Sequence, residues 1–273
     1  MSTLRIVSVS GGKDSTALYC WAIERFENDF LAVFADTGNE HPVTLNYVRN
    51  LSQMARGPEI AWVAADFTDR LGISGKAPTG NRFLDMMIWK HRAPSARAQY
   101  CTEFVKLRPI RDWLASVRGD SEVIMHVGIR AGESARRSKM PESEWSDFYD
   151  CQIERPLLRW DEYQVFDYLK EKGVPPNPLY GAGFGRVGCY PCIHATKLEL
   201  ARLEPWAWEK LAEWETRLGC SWFAPGKIPG AHVPTVQQVR EWSTTLWGGK
   251  IQDPEMTHPA DVPSCMATWG VCE

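Results

Sequence analysis

Residues 4–26 read LRIVSVSGGKDSTALYCWAIERF, and the order of residue types within them decides the fold. Leu4 to Val9 is a short apolar run of the buried-strand type. Gly11 and Gly12 break it, and Leu18, Tyr19, Ala22, Ile23 and Phe26 then recur at helical spacing. The stretch is therefore strand, glycine turn, helix. Outward from it the alternation repeats: Leu31 to Ala35 (LAVFA) is a second strand, His41 to Ala55 a second helix and Ile60 to Ala64 (IAWVA) a third strand. Successive βαβ units predict a parallel sheet with flanking helices. A fourth strand, Glu122 to Gly128 (EVIMHVG), follows helices in the interval from Leu84 to Val117. Trp160-Asp161 then opens a helix with Asp161 as N-cap, Gln164 as its capping partner, and Val165, Phe166 and Leu169 facing inward.

From Gly173 the texture changes. The stretch GVPPNPLYGAGFGRVGCYPCI carries four Pro and five Gly, which predicts irregular backbone held in place by something else. Beyond it, Leu200, Leu203, Ala207, Leu211, Trp214 and Leu218 form a helical stripe, and Val236 to Trp247 reads as a further helix. The expected organisation is an α/β domain over residues 1–172 and a helical, Trp-rich, cysteine-bearing lobe over residues 173–273.

Composition narrows the function. With 44% apolar and 24% charged residues in a chain of 273, the sequence is of the soluble globular type, which excludes disordered, collagen-like and membrane-spanning classes. Lys and Arg number 31 against 34 Asp and Glu, so no global basic field advertises a polyanionic partner. Locally the balance differs. Arg82, Lys90, Arg92, Arg97, Lys106, Arg108 and Arg111 face only Asp85 and Glu103 in the same interval, and Arg136, Arg137 and Lys139 follow Arg130. Such a strip is either a solvated face or an anion-binding one. The opening MSTLRIVSVS has no signal-peptide pattern and no apolar run approaches about 18 residues, so a cytoplasmic protein with no membrane partner is expected. Thiols stay reduced there, so clusters among the eight cysteines point to metal ligation or catalysis rather than to disulfides.

Two constellations carry chemistry. The first is Ser10-Gly11-Gly12-Lys13-Asp14-Ser15, placed between strand and helix. Glycines there let successive backbone N–H groups close on a phosphate. The helix N-terminus adds about half a positive charge, and Ser10, Lys13 and Ser15 add donors. The loop is neither a Walker A sequence nor a G-x-G-x-x-G fingerprint. The second is Cys189-Tyr190-Pro191-Cys192, a C-x-x-C spacing that lets two thiolates reach one metal or cluster. Further ligands must come from elsewhere, with Cys101, Cys265 and Cys272 as candidates. Cys20, Cys151 and Cys220 read as small buried hydrophobes. The 13 Trp read mostly as core of the helical lobe, with a base-stacking platform as the alternative. Of the histidines, His41, in the stretch Asp36 to Pro42 after the second strand, is the one expected to approach a ligand of the loop, and His91, His126, His194, His232 and His258 show no paired metal spacing.

SGGKDS resembles the pyrophosphate loop of the PP-loop ATP pyrophosphatases, an adenine nucleotide alpha hydrolase-like superfamily. Asp36-Thr37-Gly38-Asn39-Glu40-His41-Pro42 is similar to the DTG-x-E-x-P element of its phosphoadenosine phosphosulfate (PAPS) reductase branch. Gly128-Ile129-Arg130-Ala131-Gly132-Glu133-Ser134 is similar to that branch's G-x-R-x-x-E-S element, and Arg155-Pro156-Leu157-Leu158 continues the likeness, which spans roughly residues 4–195. The resemblance implies that ATP, or PAPS, binds through Ser10, Gly11, Gly12, Lys13, Asp14 and Ser15, with Asp36, Thr37, Gly38, Gly128 and Arg130 around it. Lys13, Asp14 and Arg130 are the implied catalytic set and Mg²⁺ the implied ion. Cys101 lies where relatives often carry a Cys-Cys pair, but position 100 is Tyr. Four thiolates suit zinc or iron–sulfur equally. The resemblance favours a [4Fe–4S] cluster on Cys101, Cys189, Cys192 and a C-terminal cysteine, Cys272 before Cys265.

The E-C-G-x-H segment that carries the nucleophile of sulfonucleotide reductases is absent from this sequence. The layout is closer to ATP pyrophosphatases of DNA phosphorothioation and tRNA thiolation. These adenylate a nucleic-acid oxygen before sulfur replaces it, which implies a DNA or tRNA acceptor and a cysteine-desulfurase-type sulfur donor. The rivals are a PAPS or adenylyl-sulfate reductase using Cys265 or Cys272, and a non-catalytic nucleotide-binding iron–sulfur subunit that regulates a partner.

Overall fold

The computed structural model describes residues 2–228, 231 and 233–245. Among these, six strands form one sheet: β1 (Thr3–Val9), β2 (Leu31–Asp36), β3 (Ile60–Ala64), β4 (Glu122–His126), β5 (Ser143–Ser146) and β6 (Cys151–Glu154), in the spatial order β3-β2-β1-β4-β6-β5. Every neighbouring pair is parallel except β5 with β6. Strands β1 to β4 lie where the apolar runs predict them. The pair β5 and β6 is not foreshadowed, because SEWS is polar and half-exposed and CQIE has only two inward residues, Cys151 and Ile153. These short segments become strands through pairing, β6 with β4 and β5 with β6, contacts that no local periodicity encodes.

Alternation along the strands sorts side chains to two faces. Ile6, Val33, Met125 and Ile153 face one side. They pack there with Leu107, Ile110 and Leu114 of the segment built from α5 (Tyr100–Thr102), a π-helical turn (Glu103–Leu107) and α6 (Arg108–Val117). Val7, Val9, Ala32 and Phe34 face the other side. They meet Leu18 and Tyr19 of α1 (Lys13–Phe26), Val48 and Leu51 of α2 (Pro42–Ala55) and Val165 and Leu169 of α7 (Glu162–Glu171). The capping box expected at Asp161 and Gln164 closes α7 at both hydrogen bonds, each 2.8 Å.

Two further helices precede α5, α3 (Thr68–Ile73) and α4 (Arg82–Lys90). The stripe from Leu200 to Leu218 is two helices rather than one, α8 (Lys197–Ala201) and α9 (Pro205–Leu218). Pro205 explains the break, since proline suits the first turn of a helix and disrupts its interior. The last helix, α10 (Val236–Ser243), ends before Trp247, which lies outside the described residues. Phe83 and Met87 of α4 share one core with Trp208, Leu211 and Trp214 of α9 and with Trp222. The Trp-rich lobe is thereby joined to the α/β layer through a common apolar cluster. No helix among the described residues is long and apolar enough to cross a membrane.

Candidate functional site

Strand order reverses between β1 and β4, because the chain runs β1, β2, β3 to one side and then crosses back. Ligands of open α/β sheets bind beyond the carboxyl ends of the strands at such a switch point. Here that point is filled by the loop after β1 and the segment after β4. Gly11 has φ +80°, and a Cβ on it would lie 2.9 Å from the methyls of Thr44 and Val48. Gly128 admits an equally close approach of backbone, since a Cβ there would stand 2.9 Å from the Asp14 carbonyl oxygen and 3.0 Å from the Ser15 nitrogen. The two motifs, distant in sequence, are thus in backbone contact.

Charge organises the same spot. Asp14 is fully buried, pairs with Lys13 Nζ at 3.1 Å and accepts from Arg130 Nε. Lys13 Nζ also lies 3.4 Å from Glu162. Arg130 in turn donates its backbone N–H to Glu133 at 2.8 Å, and Glu133 pairs with the buried Arg137. Asp14 therefore works as the anchor of two cations beside the N-terminus of α1. Ser15 Oγ stands 3.0 Å from both the nitrogen and the Oγ of Ser10, which folds the loop around the helix start. The whole set expected to cradle phosphate, Ser10 to Ser15 with Gly128 and Arg130, is brought together.

Residues that the sequence did not single out complete the loop. The Lys13 backbone N–H donates to the Tyr180 hydroxyl at 2.9 Å, and Asn177 Nδ2 donates to the Gly11 carbonyl at 3.1 Å. Both lie in the Gly/Pro-rich segment, so part of what holds that irregular backbone is the loop after β1. No periodic signal marks either residue.

At the end of β2, Asp36 accepts from the Gly38 nitrogen at 2.9 Å and forms a salt bridge with Arg82. Thr37 donates through Oγ1 to Glu40 at 2.6 Å. Glu40 has its carboxyl pushed up from the ordinary range by burial. Thr37 Oγ1 also lies 3.9 Å from Cys189 Sγ, and Glu40 and Cys189 are joined by an isolated antiparallel bridge. The DTG element therefore couples the end of β2 to Cys189. His41, expected near the nucleotide, instead caps α2 and turns its Nε2 to Glu204 at 2.9 Å.

Cys101, Cys189 and Cys192 line one small cavity together with Lys106, Thr102 and Pro191. Two more lysines attend it. Lys210 donates to Asn39 at 2.8 Å and to the Tyr190 carbonyl at 2.7 Å, and burial pushes its ammonium down to about 8 against the pull of Cys189 and Glu40. Burial likewise lowers Lys227, opposed by Cys192 and Glu199. Three thiols with basic groups around them have the donor chemistry of a thiolate-bound group. Among the described residues, no set of three or more His, Cys, Asp or Glu side chains is arranged to hold a metal ion. The expected fourth ligand, Cys272 or Cys265, lies outside the described residues. Cys20 and Cys151 are buried, with thiols pushed up to about 12 and about 11 by desolvation, in keeping with small core residues. Cys220 is half-buried.

The chain is similar to several known proteins. The family model described as "Phosphoadenosine phosphosulfate reductase domain" matches residues 5–195. An uncharacterized 37.8 kDa protein of Escherichia phage 186 is 37% identical over 100% of this chain and 97% of its own length. The adenosine 5′-phosphosulfate reductase of Allochromatium vinosum is 30% identical over 72% of this chain and 68% of its own. Among solved structures, the phosphate complex of PAPS reductase from Candida auris is similar with a TM-score of 0.49 and 18% identity, over 70% of this chain and 83% of that one. The mostly parallel sheet with flanking helices is of the α/β class expected from the sequence. The chain belongs to the phosphoadenosine phosphosulfate reductase family.

Proposed function

We propose that this protein is an ATP pyrophosphatase that adenylates an oxygen of a nucleic acid, DNA or tRNA, so that sulfur can replace it. The observation that supports this reading is the pairing of Lys13 and Arg130 on one buried carboxylate, Asp14, beside the N-terminus of α1 at the switch point. Two fixed cations and a helix N-terminus suit a polyphosphate whose charge grows as pyrophosphate leaves. The loop from Ser10 to Ser15 would hold the β- and γ-phosphates, with Asp36, Thr37, Gly38 and Gly128 bounding the nucleotide. An acceptor oxygen attacks the α-phosphorus, the bond to the β-phosphate oxygen breaks, and pyrophosphate departs. A persulfide from a cysteine-desulfurase-type donor then attacks the activated position and AMP leaves. A second thiol reduces the resulting disulfide, so that one sulfur stays on the acceptor. Mg²⁺ bound to the phosphates would neutralise charge on the leaving group. A [4Fe–4S] cluster, when bound, would orient or carry sulfur; Cys101, Cys189, Cys192 and Cys272, or Cys265 in its place, would hold it.

A second reading, reduction of PAPS or adenylyl-sulfate, is favoured by the identity to the Allochromatium reductase. Anaerobically purified protein incubated with ATP, Mg²⁺ and nucleic acid should release pyrophosphate and AMP. Thioredoxin-dependent sulfite release from PAPS or adenylyl-sulfate, without pyrophosphate release from ATP, would replace the first reading by the second. Tight nucleotide binding with neither turnover would leave a regulatory subunit.

A further inference from the structure

Beyond the end of β3, on the far side of the helical segment that carries Cys101, lies a cavity of about 550 Å³. Its floor is Val63, Ala64 and Ala65, and its walls carry Arg70, Phe104, Arg108 and Arg111. That volume falls in the range of pockets that enclose nucleotide-sized ligands. Cations and rings alternate around it. The Arg70 guanidinium lies 4.3 Å from the centre of the Trp89 ring and 5.2 Å from that of Phe104. Arg108 lies 4.5 Å from Phe104, Lys90 4.4 Å from the same ring, and Arg111 5.2 Å from Phe148.

The acidic groups at this surface are already engaged. Glu103 pairs with Arg108, Asp112 with Arg111, and Asp66 accepts from the Thr68 backbone and hydroxyl. Desolvation lowers the Arg70 guanidinium, with Arg108 adding to the shift and Glu103 opposing it, and desolvation lowers Lys90, opposed by Glu103 and reinforced by Arg70, Arg92 and Arg108. The cations set around Phe104 outnumber the carboxylate among them, Glu103, a balance that suits an anionic ligand. The rings matter equally, because a flat aromatic face beside a guanidinium accepts a base, which an acidic peptide does not offer and a duplex keeps stacked inside.

One continuous segment links this groove to the site already described. Cys101 and Lys106 line the cysteine cavity, Lys106 and Ile110 line the crevice at the ends of β1 and β2, and Phe104, Arg108 and Arg111 line the groove. We infer that the groove beyond β3 binds a single-stranded segment of nucleic acid, phosphates on Arg70, Arg108 and Arg111 and a base on Phe104, beside the nucleotide site. This assignment rests on the nucleic-acid reading of the acceptor given above, and it adds where and in what form that acceptor is held.

Fluorescence anisotropy with a labelled single strand of about 15 nucleotides, as DNA and as RNA, tests it between about 50 and 200 mM salt. The wild-type chain should bind a single strand more tightly than a duplex of equal length. Arg70→Gln combined with Arg111→Gln should make the slope of log affinity against log salt shallower by about 1.4, the loss of two single-strand phosphate contacts. Phe104→Ala should weaken binding about fivefold or more while leaving that slope unchanged. The melting temperature of each variant serves as its folding control. A wild-type chain that ignores single strands, prefers the duplex, or binds them as well after these changes would overturn the groove assignment. These outcomes are read without ATP, whereas failure of the adenylation reading shows as absent pyrophosphate release from a chain that still binds the strand. Preference between the DNA and RNA probes identifies the acceptor.

Discussion

The loop after β1 and the cysteine cavity are neighbours, since Ser10 and Gly188 line one crevice and Thr37 lies 3.9 Å from Cys189, yet they are built in opposite ways. The loop is local: a strand, two glycines and a helix place six consecutive residues, and most of its hydrogen bonds close within that stretch. The cavity is assembled from afar, with Cys101 from the α5 segment, Cys189 and Cys192 from the Gly/Pro-rich stretch, and Lys210 from α9. Errors in the first should act through buried charge. Errors in the second should act through loosened attachment.

The sharpest way to break the contrast is Asp14→Ala. It leaves Lys13 and Arg130 buried without their common carboxylate, so a loss of about 3–5 kcal/mol in unfolding free energy is expected by urea denaturation, together with loss of nucleotide binding. Gly128→Ala comes next, since its methyl would press on the Asp14 backbone. A cost of about 1–3 kcal/mol and a weaker nucleotide affinity by calorimetry are expected, and an unchanged affinity would count against the loop as the phosphate site.

On the cavity side, Asn39→Ala removes a hydrogen bond to the Pro191 carbonyl and one from Lys210. About 1–2 kcal/mol should be lost, with the change concentrated in faster amide exchange around residues 189–192 while that of residues 10–16 stays put. Exchange that rises equally in both regions would dissolve the distinction drawn here.

The smallest effect is a pH dependence. Cys20 has its thiol raised to about 12 in the folded chain, above its value when unfolded. Its contribution is therefore complete at neutral pH and declines as pH rises past the ordinary thiol range, because the unfolded chain then sheds the proton first. Between pH 8 and 9 it should cost about 0.7 kcal/mol of stability. Cys20→Ala should flatten that slope in paired urea titrations; a slope equal to wild type would assign the decline to other groups, with Cys151 the next to replace.

The same division explains what the sequence disclosed. Ser10 to Ser15 were legible because the loop's geometry follows from its own strand and helix. Asp14 was legible as part of the loop but not as an anchor, since Arg130 reaches it across 116 positions. Tyr180 was invisible for a similar reason: its hydroxyl meets the Lys13 amide 167 positions away, from a segment with no periodicity. The strands β5 and β6 escaped because four residues hold too few alternations to outvote a loop. The basic strip from Arg82 to Arg111 was legible as charge, but its division among faces needed the fold.

That division has a geometric origin in the π-helical turn from Glu103 to Leu107. A wider turn takes up an extra residue, so the side chains before it and after it are out of phase with an uninterrupted α-helix. Removing one residue there would restore regular winding and rotate Arg108 and Arg111 by roughly 100° relative to Cys101. The segment thus acts as a keyed shaft: the offset cut into its middle sets which side chains line the cysteine cavity and which line the groove beside β3.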